Sequence, residues 1–65
     1  MNAKVGEYAG MIWRTLDGKN ALSMKEIKKA TKLKNEEFYL GMGWLMREDK
    51  IEVTEGETEN YYALK

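Results

Sequence analysis

Apolar positions in the first sixteen residues recur at three- and four-residue steps. Val5, Ala9, Ile12 and Leu16 fall on one stripe, with Tyr8 on one flank and Trp13 on the other, so the spacing predicts a helix from about Ala3 to Leu16. Asp17-Gly18 should end it, because glycine accepts the left-handed conformation that stops a helix. Asn20-Ala21-Leu22 reads as a short extended stretch. Ser23 then opens a second helix through a capping box with Glu26, in which each side chain accepts from the other residue's backbone N–H. Ile27 and Ala30 are expected to point inward on this helix. Lys25, Lys28, Lys29 and Lys32 stand at i, i+3, i+4 and i+7 and are expected to share its outward face. Thr31 to Lys34 make a turn around a buried Leu33. Asn35 is expected to cap a third helix from about Glu36 to Glu48, with Glu36 and Glu37 at its positive end.

Two apolar sets run along that third helix. Phe38, Met42 and Leu45 form a core stripe with Gly41, flanked by Tyr39 and Met46. Leu40 and Trp44 stand i, i+4 on the other side. Gly41 and Gly43 each cost roughly 1 kcal/mol against alanine in a helix interior, which fits close approach by another backbone and an exposed, weakened helix equally well. The helical period breaks at Asp49–Lys50. Ile51 and Val53 then alternate with Glu52 and Thr54, Glu55 to Thr58 form a turn, and Glu59 to Leu64 return with Tyr62 and Leu64 on one face and Tyr61 and Ala63 on the other. Three helices followed by a two-stranded ribbon, with a short extra strand between helices one and two, is the α+β layout of a winged helix-turn-helix, expected as one domain over residues 1–65.

The block Leu40-Gly41-Met42-Gly43-Trp44-Leu45-Met46-Arg47-Glu48-Asp49-Lys50-Ile51 resembles the LGWLxRExKI signature of a family of very short bacterial winged helix-turn-helix proteins without an assigned function. The resemblance covers essentially the whole chain in length and element order. It implies a winged-helix fold and a regulatory or DNA-associated role.

Charge changes what such a fold can be expected to do. Residues 1–34 carry eight basic and three acidic side chains, a net of +5, and residues 35–65 carry three basic and eight acidic, a net of −5. Winged helices bind DNA with the third helix in the major groove and the wing along the backbone, and affinity comes largely from Lys and Arg against phosphates. Here the third helix starts with Glu36 and Glu37, and the wing carries Glu52, Glu55, Glu57 and Glu59. Nucleic-acid binding is therefore expected to be weak, with Lys25, Lys28, Lys29, Lys32 and Arg47 as its candidate contacts.

At 65 residues the chain buries only about 60% of its unfolded surface. It has no cysteine for a disulfide and no histidine or cysteine for a structural zinc. Self-association is the support that remains, so a homodimer is expected, with Leu40, Trp44, Tyr8, Met11 and Trp13 as candidate interface residues. The same missing residue types leave no imidazole base and no thiol nucleophile, and Gly41-Met42-Gly43 lies inside a helix rather than in a phosphate loop. A non-enzymatic protein is expected, with no cofactor, no metal and no small-molecule substrate. No apolar run approaches the length of a membrane span and no signal-peptide segment opens the sequence, so a cytoplasmic location away from membranes is expected.

Overall fold

A computed structural model describes residues 3–65. Its order is α1 (Ala3–Leu16), β1 (Leu22–Ser23), α2 (Met24–Thr31), α3 (Asn35–Arg47), β2 (Ile51–Glu55) and β3 (Asn60–Leu64). The strands form one antiparallel sheet in the order β1-β3-β2. Tyr62 pairs with Leu22 on one side and Val53 on the other, so it lies in the middle of the sheet. The architecture is a winged helix-turn-helix: three helices, a short strand between the first two, and a hairpin wing.

Local chemistry accounts for each boundary. Gly18 has φ +74° after α1, and the Asp17 N–H donates to the Trp13 carbonyl at 2.9 Å. Ser23 pairs with Tyr61 in the sheet and caps α2 in the same position. Its hydroxyl accepts from the Glu26 N–H at 3.2 Å, and the Glu26 carboxylate accepts from the Ser23 N–H at 2.9 Å. The Asp49–Lys50 break is a Schellman ending. Asp49 takes the left-handed conformation at φ 57°, its N–H donates to Met46, and the Lys50 N–H reaches back to Leu45, each at 3.0 Å.

Val5, Ala9, Ile12 and Leu16 from α1 meet Phe38, Met42 and Leu45 from α3 in the core, and Ile27, Leu33, Ile51 and Tyr62 close it. Phe38 has no exposed surface and sets its ring edge-on to Tyr62 at 5.7 Å. The α1–α3 crossing turns on Gly41. A Cβ there would lie 2.8 Å from the Tyr8 carbonyl carbon and 2.9 Å from the Ala9 nitrogen, so another backbone does approach closely here. Nothing lies within 4 Å of a Cβ on Gly43, which faces open space.

Four local expectations are corrected. The extra strand is Leu22–Ser23 rather than Asn20 to Leu22, because the pairing partners Tyr62 and Tyr61 fall opposite those residues. Ala30 is exposed; on this two-turn helix Ile27 fills the contact with the core. Lys34, not Asn35, caps α3. Its N–H donates to the Glu37 carboxylate at 2.8 Å, and the Asn35 side chain is turned instead toward the Lys28 ammonium. Lys32 lies past the end of α2 as a left-handed cap at φ 63°, so it does not continue the lysine face.

Candidate functional site

Two surfaces collect the residues singled out by sequence. The first is the outer side of the α1/α3 pair. A groove of about 260 Å³ is lined by Gly6, Ala9, Gly10 and Trp13 of α1 and by Trp44 and Leu45 of α3, together with Glu48 and Lys50. Leu40 lies one turn before Trp44 on α3 and is 52% exposed. Trp44 is half-buried and packs against the core edge, with the Arg47 guanidinium 5.4 Å from its ring centre. That stacking directs Arg47 into the same face.

Tyr8 packs at the edge of this region. It is half-buried, and its hydroxyl hydrogen-bonds the Glu37 carboxylate. Burial, reinforced by Glu37 and Glu7, raises the Tyr8 pKa. Glu37 is held below the usual carboxylate range, first by the Lys34 N–H and then by the Tyr8 hydroxyl and the charges of Lys34 and Lys4; partial desolvation opposes this. Tyr8 is thus a strut between α1 and the start of α3. Met11 does not join the tryptophans. It lies about 160° round the helix from Trp13 and lines a separate depression with Arg14, Thr15, Ala30 and Thr31.

The second surface is the notch between α2, the start of α3 and the wing. Met24, Lys25, Lys28, Asn35 and Glu59 line about 440 Å³ there. The recognition helix of a helix-turn-helix protein enters the major groove, and the start of α3, its counterpart here, borders this notch. The notch contains only two of the five candidate nucleic-acid contacts. Lys29 is exposed along α2, Lys32 sits in the turn, and Arg47 is twelve residues along α3 from Asn35, roughly 18 Å away by helical rise. The Lys28 ammonium is engaged by the Asn35 side-chain oxygen, and the wing contributes a carboxylate instead of a cation.

Sequence reasoning did not find the glycine lining of the groove, the Tyr8–Glu37 contact or the entry of Glu59 into the notch. The i, i+4 spacing of Gly6 and Gly10 was a usable signal for the first. The other two depend on helix crossing and hairpin direction, which residue spacing does not encode. Among the described residues no cluster of three or more His, Cys, Asp or Glu could hold a metal ion, and no helix is long and apolar enough to cross a membrane.

Comparison with known proteins agrees with the fold. No curated protein matches the chain at a significant level. The solution NMR structure of protein BT2368 from Bacteroides thetaiotaomicron is similar, with a TM-score of 0.85 and 27% sequence identity over 95% of this chain and 76% of that one. The family model for the winged helix-turn-helix domain (DUF2582) matches residues 1–64. With the Leu40–Ile51 block, the three helices and the wing all inside that match, the chain belongs to the winged helix-turn-helix domain (DUF2582) family.

Proposed function

We propose that this chain is a non-enzymatic winged-helix module that works through protein contacts, first with a second copy of itself, in a regulatory or transcription-associated setting. The observation that carries the reading is the α1/α3 face, where Leu40 is half exposed beside the Trp13–Trp44 groove. Fully burying a leucine side chain stabilises by roughly 1.5–3 kcal/mol, and aromatic residues are enriched in interface cores. A 65-residue chain with no cysteine has much to gain from such a contact. Absence of histidine and cysteine from the sequence supports a non-catalytic role. Size-exclusion chromatography with light scattering tests the reading. A dimer at high micromolar concentration is expected, shifted toward monomer by Leu40→Ala with Trp44→Ala; a monomer throughout that range would refute self-association.

A second reading is DNA binding through the α2 lysines. It is favoured by the position of Lys25 and Lys28 in the notch between α2, α3 and the wing. Glu36 at the start of α3 and Glu52, Glu55, Glu57 and Glu59 on the wing oppose it, because each would stand near phosphates. Weak, sequence-independent binding that falls steeply with salt is expected in anisotropy titrations with random duplex. Submicromolar, sequence-selective binding at physiological salt would make the DNA reading the correct one.

A further inference from the structure

The wing has one edge that the fold leaves open. In the sheet order β1-β3-β2, β3 is paired on both sides and β2 on one. Two hydrogen bonds fix which backbone groups of β2 point outward. The Lys65 N–H donates to the Lys50 carbonyl at 3.0 Å, and the Gly56 N–H to the Glu59 carbonyl at 2.9 Å. Bonded and non-bonded pairs alternate along an antiparallel ladder. With Ile51 opposite Leu64 and Glu55 opposite Asn60, the bonded pairs in between are Glu52–Ala63 and Thr54–Tyr61. Ile51, Val53 and Glu55 therefore turn their N–H and C=O groups away from β3. Ile51 is buried, but every residue from Glu52 to Glu55 is exposed, so the outward groups of Val53 and Glu55 form an open edge. Such an edge is a template for another strand.

Charge decides which kind of strand fits it. From Ile51 to Leu64 the wing carries Glu52, Glu55, Glu57 and Glu59 and no basic residue. The cations around it are shared or placed elsewhere. Lys25 and Lys28 line the notch with Glu59. Lys65 pairs with Asp49 and lies near enough to Glu52 for the two charges to interact. Lys50 precedes β2 and lines the α1/α3 groove, and Lys19 precedes β1 on the opposite edge of the sheet. Glu55 shares its face of the hairpin with Ile51 and Val53 on β2 and with Leu64, Tyr62 and Asn60 on β3, none of them basic. A second copy is a poor occupant. Two β2 strands paired about Val53 set their Glu52 side chains on one face, diagonally at about 7–8 Å, and gather the glutamates of both wings. The lysine-rich stretch of this chain, residues 25–34, is held in α2 and the turn after it.

We propose that the open edge of β2 captures an extended, basic segment of another protein, which joins the wing as a further antiparallel strand. Antiparallel addition continues the pattern of the sheet, and the incoming main chain bonds the N–H and C=O groups of Val53 and Glu55. The residue opposite Val53 lies on the same face, so an aliphatic side chain there covers Val53, which is 40% exposed. Two positions earlier in the incoming strand, a lysine or arginine on that face stands opposite Glu55. The residue directly after the aliphatic one lies on the other face, opposite Glu52, and is a second basic position. The recognised pattern is basic, any, aliphatic, basic. The same glutamates repel acidic strands, which gives the edge selectivity. The proposal uses residues other than Leu40 and Trp44 and does not depend on self-association.

The probe is a short acetylated peptide carrying lysine–threonine–valine–lysine between threonines and serines, titrated into nitrogen-15-labelled protein. Amide shifts are expected to centre on β2. Hydrogen exchange should slow at Val53 and Glu55 and change little at Glu52 and Thr54, which are already bonded to β3; charge attraction alone does not produce that alternation. Val53→Pro removes one outward N–H and leaves the ladder to β3 intact, as proline on an edge strand does, and is expected to weaken binding at least tenfold. A peptide with proline in place of its valine should lose affinity to the same extent. Glu55→Gln should weaken binding several-fold, and more than Glu52→Gln, because Lys65 already shares the charge of Glu52. No binding at millimolar peptide, undiminished binding of the proline peptide, or shifts centred on the notch of Lys25 and Lys28 would overturn the proposal. Protection of Val53 and Glu55 that rises with protein concentration in the absence of peptide would put a second copy on the edge and overturn the basic partner. If Val53→Pro proves unfolded, the proline peptide and the exchange pattern of wild type decide.

Discussion

Gly41→Ala and Gly43→Ala should change stability in opposite directions, although the two residues are separated by one position on the same helix. Each substitution gains roughly 1 kcal/mol of helix propensity. At Gly43 the new methyl group meets nothing within 4 Å, so the gain should be realised nearly in full. At Gly41 the methyl group would lie at 2.8 and 2.9 Å from the backbone of Tyr8 and Ala9 and 2.9 Å from the Tyr8 Cβ. These atoms belong to a packed helix and cannot rotate away. Ordinary contact needs several tenths of an ångström more, so α1 has to shift off α3 as a unit. Overpacking of a core costs about 1–3 kcal/mol. The cost should fall at the upper end here, because α1 and α3 are the two longest elements and share the centre of the core. A net loss of about 1–2 kcal/mol is expected. In a domain of this size each kcal/mol moves the melting temperature by about 4–8 °C. Thermal melts followed by far-UV circular dichroism, at concentrations low enough to exclude association, should give a Tm some 5–15 °C below wild type for Gly41→Ala and a few degrees above for Gly43→Ala. A Gly41→Ala protein as stable as wild type would show that α1 does not approach α3 at this residue.

Ser23→Ala should cost about 1–2 kcal/mol in denaturant unfolding, since it removes a cap from α2 at a site only 3% exposed, where water replaces the lost bond poorly; no change would mean the capping box contributes nothing. Glu37 has a folded pKa below its unfolded value, so its stabilising contribution is present above the unfolded carboxylate range and is lost as pH falls through the folded value. Glu37→Gln should flatten the acid side of the stability–pH curve, read from unfolding midpoints between pH 7 and pH 2, and an unchanged slope would remove Glu37 from the account. Lys65 has a raised folded pKa from its pairing with exposed Asp49, so that contribution is present below the unfolded lysine value and fades as pH rises through the folded one. Asp49→Gly should nevertheless be nearly neutral or stabilising at pH 7, because an exposed ion pair adds little and the left-handed backbone at Asp49 suits glycine better; a loss of more than about 1 kcal/mol would contradict this.

Period and caps made the fold legible from sequence. The α1 stripe and the Phe38–Met42–Leu45 stripe are buried as spaced, and the capping box at Ser23 and the stop at Asp49 mark real boundaries. Failures occurred where a local preference competed with a tertiary contact. Asn35 is a better cap than lysine by propensity, yet Glu37 supplies the acceptor for the Lys34 N–H and Asn35 turns to Lys28. Val53 alternates correctly with Ile51 but is 40% exposed, because the wing extends beyond the core that Ile51 still touches. For the candidate surfaces, helical angle was enough to put Leu40 and Trp44 on the side away from Phe38. Helical angle also sets Met11 about 160° from Trp13, so grouping the two in one interface overlooked it, and they line different depressions.

The charge split is where linear reading misleads most. A net +5 in residues 1–34 followed by −5 in residues 35–65 suggests a molecule with two poles. Folding reduces that separation at the notch. The hairpin returns Glu59 to the notch that Lys25 and Lys28 line, and Glu36 stands at the start of α3, next to Asn35 on that notch. The positive potential that α2 would offer a phosphate is reduced by the Glu59 carboxylate in the same notch. Repulsion between this carboxylate and phosphate is built into the folded state and needs no conformational change. On the α1/α3 side the groove is lined largely by apolar residues with Glu48 and Lys50, while Arg14 lies against Gly10 and Arg47 over Trp44. The folded chain therefore sets a carboxylate in the notch, where it would oppose a phosphate, and leaves a largely apolar groove on α1 and α3 near exposed Leu40. That contrast is the physical support for the proposal that this winged helix works through protein contacts before nucleic acid.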